Sequence, residues 1–173
     1  MKLASFEAIV RAFEEAGVRY LVAGGLAVNA HGHLRFTHDI DLVIQLSPRN
    51  VVSAYRALAS LGYQPRVPVT AEQFANEALR RQWIVEKGMM VLNFHSDRHR
   101  ETPIDVFVTE PFDFDSEYGA APNQEFGPGL FVRFVSIPTL IAMKNVANRP
   151  IDGDDIQHLR WIMEEKLRDQ SDS

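Results

Sequence analysis

Three aspartates set among apolar residues carry the chemistry this sequence offers. Asp39 and Asp41 stand two residues apart in a stretch, Asp39 to Leu46, that alternates polar or acidic residues with Ile40, Leu42, Ile44 and Leu46. On a strand that spacing sends both carboxylates out of one face and Ile40 and Leu42 out of the other. Two carboxylates so close repel each other unless a proton or a cation neutralises them, and hard oxygen donors at this spacing suit Mg2+ or Mn2+. A third carboxylate, Asp105, lies in the apolar run Pro103-Ile104-Asp105-Val106-Phe107-Val108. With its strand beside the first, the three carboxylates hold two ions. The strand pattern alone equally describes a solvent-facing edge with ordinary alternating charges.

Gly24 and Gly25 sit upstream at a strand-to-helix turn, where free backbone N–H groups and the helix dipole suit a phosphate. Such a pair also serves a plain tight turn. Arg35 and Thr37 either position the following loop or contact phosphate or a nucleic-acid backbone. Lys144, on an apolar helix, is either a phosphate contact or a solvated residue. Asp154 and Asp155 precede the last helix, where acids cap exposed N–H groups. His95, Asp97 and His99 superficially suggest zinc, but their spacing fits a polar connection better. His31 and His33 border the 33–38 loop without a general-base signature, and Phe94, Phe107, Phe112, Phe114, Phe131 and Phe134 read as core or loop anchors.

The elements that must position these groups follow from periodicity. Leu3 to Ala16 reads as an amphipathic helix closed by Gly17, Arg19 to Ala23 as a strand, and Leu26 to Ala30 as a helix after the glycine turn. Ser47-Pro48 starts a helix that runs to Gly62. A helix is expected from Ala71 to Leu79, strands at Trp83 to Val85 and Met89 to Phe94 joined at Lys87-Gly88, and another strand at Ile104 to Val108. Residues 110–128 read as an irregular surface excursion, Leu130 to Val135 as a strand, and Ser136-Pro138 and Ile156 to Leu167 as the last helices. These elements predict an α/β (α+β) fold, a mixed sheet flanked by helices.

The 173 residues, 46% of them hydrophobic, suit one domain with a substantial core, here 1–173 with C-terminal helices from about 138. The absence of cysteine excludes thiolate zinc sites, disulfides and a cysteine nucleophile. A net charge of -5 makes any nucleic-acid contact local. The amphipathic opening segment resembles neither a signal peptide nor a membrane span, so a cytoplasmic protein with no membrane partner is expected.

Leu21-Val22-Ala23-Gly24-Gly25-Leu26-Ala27 followed by Arg35-Phe36-Thr37-His38-Asp39-Ile40-Asp41-Leu42 resembles the signature of the DNA polymerase beta-type nucleotidyltransferase superfamily. Within it the match is to minimal nucleotidyltransferases and the AbiEii-type toxin branch, to which the thirteen residues 26–38 between glycine pair and first aspartate also fit. The likeness continues in Ile104-Asp105-Val106, in Ser136 to Lys144 and in the Arg149-Pro150 to Leu159 region. The resemblance implies a nucleotidyltransferase fold in which Asp39 and Asp41 bind metal and triphosphate, while Asp105 binds metal and activates the acceptor hydroxyl. It also implies phosphate contacts from Gly24, Gly25 and Lys144. Gly25 stands where many active members have serine, so a side-chain hydroxyl contact is missing and the implied phosphate binding is either weaker or purely backbone-mediated. The implied activity moves a nucleoside monophosphate from a nucleoside triphosphate to a hydroxyl of RNA or protein with Mg2+ or Mn2+, in a toxin–antitoxin setting with a cognate toxin or antitoxin as partner. The alternative is a catalytically weak binding module of the same fold that works through a protein partner.

Overall fold

The computed structural model describes residues 1–171. Helix α1 (Leu3–Glu15) buries Phe6, Ile9, Val10 and Phe13, the three- and four-residue spacing of an apolar stripe. Strand β1 (Tyr20–Val22) leads through Gly24, at φ 59°, into α2 (Gly24–His31), which ends at the left-handed Gly32. Strand β2 (Ile40–Ile44) begins one residue after Asp39, which occupies a bend. Helix α3 (Pro48–Ser60) starts with proline at its first position, yet the Ser47 side chain makes no capping bond. Asn50 instead ties its start down, accepting from Arg19 N and donating to the carbonyls of Arg19 and Gln45.

The main sheet has the order β1-β2-β5-β4-β3, with β3 at Tyr63–Pro65, β4 at Val91–Ser96 and β5 at Ile104–Phe107. Only the β2–β5 pair is parallel, so the sheet is mixed as expected. Ile40, Leu42, Leu92, Phe94, Ile104 and Val106 all point inward and are buried. Helix α3 covers them, its Tyr55 ring meeting Phe94 edge-on at 5.2 Å. Each such side chain removed from water stabilises the fold by roughly 1.5–3 kcal/mol. The alternate residues Asn93 and His95 on β4 and Gln64 on β3 are exposed, so this end of the opposite sheet face is open.

Two expectations fail. Trp83 to Val85 is not a strand but part of α5 (Glu77–Lys87), which follows the short α4 (Ala71–Ala75). Asn76 caps α5, and the buried Arg80 fastens it by donating to the carbonyls of Phe74 and Val108. Lys87-Gly88 is then a helix end, with Gly88 left-handed, rather than a hairpin turn. Residues 110–128 are also ordered: Asp113 caps α6 (Phe114–Ala120), and β6 (Asn123–Gly127) pairs with β7 (Leu130–Arg133). Helices α7 (Ile137–Ala147) and α8 (Asp152–Ser171) pack on one another and on α2. Among the described residues no helix is long and apolar enough to cross a membrane.

Candidate active site

Strand register builds the centre. Asp41 on β2 lies directly beside Asp105 on β5, and Asp105 directly beside Asn93 on β4, so three polar residues on adjacent strands form one row. Adjacent strands are about 4.8 Å apart, which brings the Asp41 and Asp105 backbones to neighbouring distance. Asn93 Nδ2 donates to Asp105 Oδ1 at 2.6 Å, fixing that carboxylate and leaving its other oxygen free. Asp39 joins from the bend before β2.

The three carboxylates shape each other's chemistry. Burial, then the charges of Asp39 and Asp105, push the Asp41 carboxyl up to about 7. Burial likewise raises the Asp105 carboxyl, with the Asn93 hydrogen bond opposing it and the Asp39 charge adding to it. Three partly buried carboxylates this close carry more negative charge than the neighbouring cations offset, and the donors are hard oxygens, so the residues fit Mg2+ or Mn2+. Among the described residues the set whose ligand atoms fall within 4.8 Å of one another is His33, Asp154 and His158, so the three aspartates are spread more widely.

The glycine pair has a more specific task than a general turn. A Cβ on Gly24 would lie 1.7 Å from Asp41 Oδ2, so the carboxylate rests on the glycine's α-carbon, and the φ of 59° independently favours glycine. A Cβ on Gly25 would come within 2.7 Å of Thr37 Oγ1 and 2.8 Å of an Arg35 guanidinium nitrogen. The volume a serine side chain would need is therefore filled by a hydroxyl and a cation from the 33–39 loop. The start of α2 carries no side-chain cap, so its first N–H groups have no side-chain partner there, and it lies against Asp41 at Gly24.

That loop is firmly held. The Asn29 side chain bonds both the N–H and the carbonyl of Arg35 at 2.9 Å, and Thr37 Oγ1 donates to Asp39 O at 3.3 Å. Arg35 Nε lies 2.9 Å from Asp155 Oδ1. Asp155, fully buried, also accepts from Lys144 Nζ at 2.6 Å, and Lys144 reaches Asp152 at 3.1 Å. Lys144 is 3% exposed and committed to two carboxylates, so a direct phosphate contact from it is not what this arrangement supports. Asp155 likewise does not serve as an exposed cap. It is the buried junction of α7, α8 and the 33–39 loop.

Among the cations whose charge reaches the aspartates, Arg149 acts on both Asp41 and Asp39. Asp152 holds it through the Arg149 backbone N–H at 2.9 Å and Nε at 3.0 Å. Burial alone would raise the Asp152 carboxyl, but the bonds from Arg149 and Lys144 outweigh it and draw it down to about 2. The sequence did signal Arg149 as part of a motif, though not as a charge at the centre. Asn93 went unmarked; its only signal is a polar residue at alternate spacing between Leu92 and Phe94.

The histidines stand apart from the centre. His33 and His158 stack with centroids 3.8 Å apart and planes 10° apart, each near Asp154. Imidazole lone pairs lie in the ring planes, so stacked rings point theirs side by side rather than at one ion, and the group serves to fasten the loop to α8. His31 Nε2 lies 2.8 Å from Val135 O, and His99 stacks on Tyr63 with its Nδ1 2.9 Å from Ser5 Oγ. The aromatic residues divide: Phe94, Phe114 and Phe134 are core, while Phe131 is exposed.

No family model and no curated protein matches this chain. Solved structures do. The antibiotic-resistance factor ANT(2'')-Ia in solution is 15% identical with a TM-score of 0.54, covering 96% of this chain and 92% of its own. The same factor crystallised with adenylyl-2''-tobramycin is 16% identical, TM-score 0.56, with 94% and 87% covered. The lincosamide antibiotic adenylyltransferase LnuA, with lincomycin bound, is 14% identical, TM-score 0.58, with 94% and 98% covered. At this identity the likeness establishes the fold: a mixed sheet flanked by helices, shared with nucleotidyltransferases over nearly the whole chain.

Proposed function

We propose that this chain is a nucleotidyltransferase that moves a nucleoside monophosphate from a nucleoside triphosphate to an acceptor hydroxyl. The observation that carries the reading is the pairing of Asp41 with Asp105 across β2 and β5, directly against the uncapped start of α2 at Gly24. Asp39, Asp41 and Asp105 would hold Mg2+ or Mn2+, which when bound neutralises phosphate charge and acidifies the acceptor hydroxyl. The α2 N–H groups at Gly24 and Gly25 receive the triphosphate, with Arg149 supplying the nearby cation. Arg35 and Thr37 brace the back of that cradle. The acceptor oxygen forms a bond to the α-phosphorus, the bond from that phosphorus to the bridging oxygen breaks, and pyrophosphate leaves with the electron pair. Asp105, aimed by Asn93, is placed to take the hydroxyl proton on its free oxygen.

The motif resemblance further supports the AbiEii-like branch, an RNA or protein acceptor and a toxin–antitoxin setting with a cognate partner. It carries less weight for an inactive module, because Thr37 and Arg35 fill the place that Gly25 leaves. Calorimetric titration with each nucleoside triphosphate, with and without Mg2+, tests the reading together with labelled transfer to candidate acceptors. Metal-dependent binding that disappears in Asp41→Asn is expected. A folded protein that binds no triphosphate under any metal condition overturns it.

A further inference from the structure

The acceptor must approach Asp105 from the open sheet face, because α3 covers the other side and α2 with the 33–39 loop closes the Asp41 end. Beyond Asp105 and Asn93 that face continues through His95 on β4 and its cross-strand partner Gln64 on β3, both exposed. His95 is two residues along β4 from Asn93, about 7 Å. Arg66 follows β3, held by its N–H to Asn93 O at 2.9 Å, and its charge reaches Asp105. No carboxylate lies within 4.0 Å of Arg66 among the described residues. Arg66, His95, His99 and Arg100 line a recess of about 130 Å³ with Ser96, Asp97 and Pro103. That is too small for a drug-sized ligand but has room for one group. Its single acid, Asp97, pairs loosely with Arg100 at 3.5 Å.

On a protein of net charge -5, this gathers basic side chains beside the carboxylate that faces the acceptor. A polycationic acceptor would need carboxylates there and would instead meet Arg66, Arg100 and the imidazoles. An arginine fork matches the oxygens of a phosphate. We propose that the acceptor hydroxyl belongs to a phosphate-bearing molecule, whose phosphate is held by Arg66, His95 and Arg100 while its hydroxyl meets Asp105. This deepens the nucleotidyl-transfer reading and rests on it. A terminal hydroxyl of an RNA and a hydroxyl of a small phosphorylated sugar present the same chemistry.

Two measurements test it. In the first, inorganic phosphate is titrated into the metal-free protein, and the Arg66 and His95 side-chain NMR signals are followed. Saturable shifts are expected, with affinity lowered about 10- to 100-fold in Arg66→Glu, the loss of one charge-assisted contact. In the second, transfer is measured to a short RNA with a free 3′-hydroxyl, to ribose 5-phosphate, to tobramycin and to lincomycin. Transfer to one of the first two is expected, with a comparable rise in KM in Arg66→Glu and none in Arg56→Glu, the same charge change on α3. Transfer to the RNA but not to ribose 5-phosphate assigns RNA, and transfer to ribose 5-phosphate assigns the small phosphate, with a steeper loss as salt rises expected for the RNA. Transfer to tobramycin or lincomycin but to neither phosphate-bearing acceptor overturns the proposal, as do wild-type kinetics in Arg66→Glu or phosphate shifts confined to other residues. Absence of metal-dependent triphosphate binding overturns instead the reading beneath it.

Discussion

The charge that qualifies Asp41 for a metal should destabilise the protein without one. Its carboxyl moves from 3.8 to about 7, chiefly through burial and then through Asp39 and Asp105. At 1.36 kcal/mol per pKa unit, the ionised form costs the metal-free fold about 4 kcal/mol. Because the folded carboxyl keeps its proton to higher pH than the unfolded one, the stability it contributes is full below about pH 3.8 and is lost as pH rises through about 7. Asp41→Asn removes the charge and keeps the shape. In chelator at about pH 8 the variant should gain up to about 4 kcal/mol, or a melting temperature higher by about 8–16 °C in a domain of this size. At about pH 4 the two proteins should melt together. Mg2+ at about a hundred times its dissociation constant should narrow the gap by stabilising the wild type alone, by about 2.7 kcal/mol, and at about a thousand times by about 4.1 kcal/mol, enough to close it. Calorimetric melting of both proteins across this pH range, with chelator and with metal, measures all three. An Asn variant no more stable than wild type at pH 8, or a gap that ignores pH, refutes the account of Asp41 as a buried charge awaiting a cation.

Gly24→Ala should fold yet lose at least about tenfold in metal-dependent nucleotide affinity, because a Cβ 1.7 Å from Asp41 Oδ2 displaces the ligand; unchanged affinity by calorimetry refutes the contact. Lys144→Met should cost about 1.5–3 kcal/mol in urea unfolding by taking one of two cations from each of Asp152 and Asp155, whereas Arg149→Ala should chiefly weaken nucleotide binding. The reverse pattern would restore Lys144 as the phosphate ligand. Asp105→Asn should abolish transfer in single-turnover assays while keeping much of the nucleotide affinity that Asp41→Asn loses, and equal binding losses in the two would end that division of labour.

The parts of the fold that follow a single period were legible in the sequence. Alternation around Asp39 and Asp41 marked β2, and three- and four-residue spacing marked α1 and α3. What stayed hidden depends on pairing between distant segments. Nothing local places Asp105 in register with Asp41, or Asn93 with Asp105; those follow from strand order. Trp83-Ile84-Val85 misleads because three bulky apolar residues in a row satisfy a strand as well as a half-buried helix. The determining contacts, from Arg80 to the carbonyls of Phe74 and Val108, are tertiary. Residues 110–128 look irregular because Asp113, Pro122, Gly127 and Gly129 punctuate elements too short to show a period.

The ion-pair junction behind the site explains why the sequence suggested Lys144 and the structure points to Arg149. A lysine buried among apolar helix residues keeps its charge only beside carboxylates, and Asp152 and Asp155 supply them from the first turn of α8. Asp155 uses its second oxygen on Arg35, so one buried acid fixes both the helix carrying Lys144 and the loop carrying Thr37 and Asp39. Asp152 uses its second oxygen on Arg149, which orients a partly exposed cation toward the aspartates. Lys144 thus anchors Asp152, and Asp152 in turn positions the Arg149 side chain. A motif lysine here acts by positioning, and the same geometry accounts for Gly25: with Arg35 drawn inward by Asp155 and Thr37 bound to Asp39 O, a side chain at position 25 would have to push apart the loop that carries Asp39.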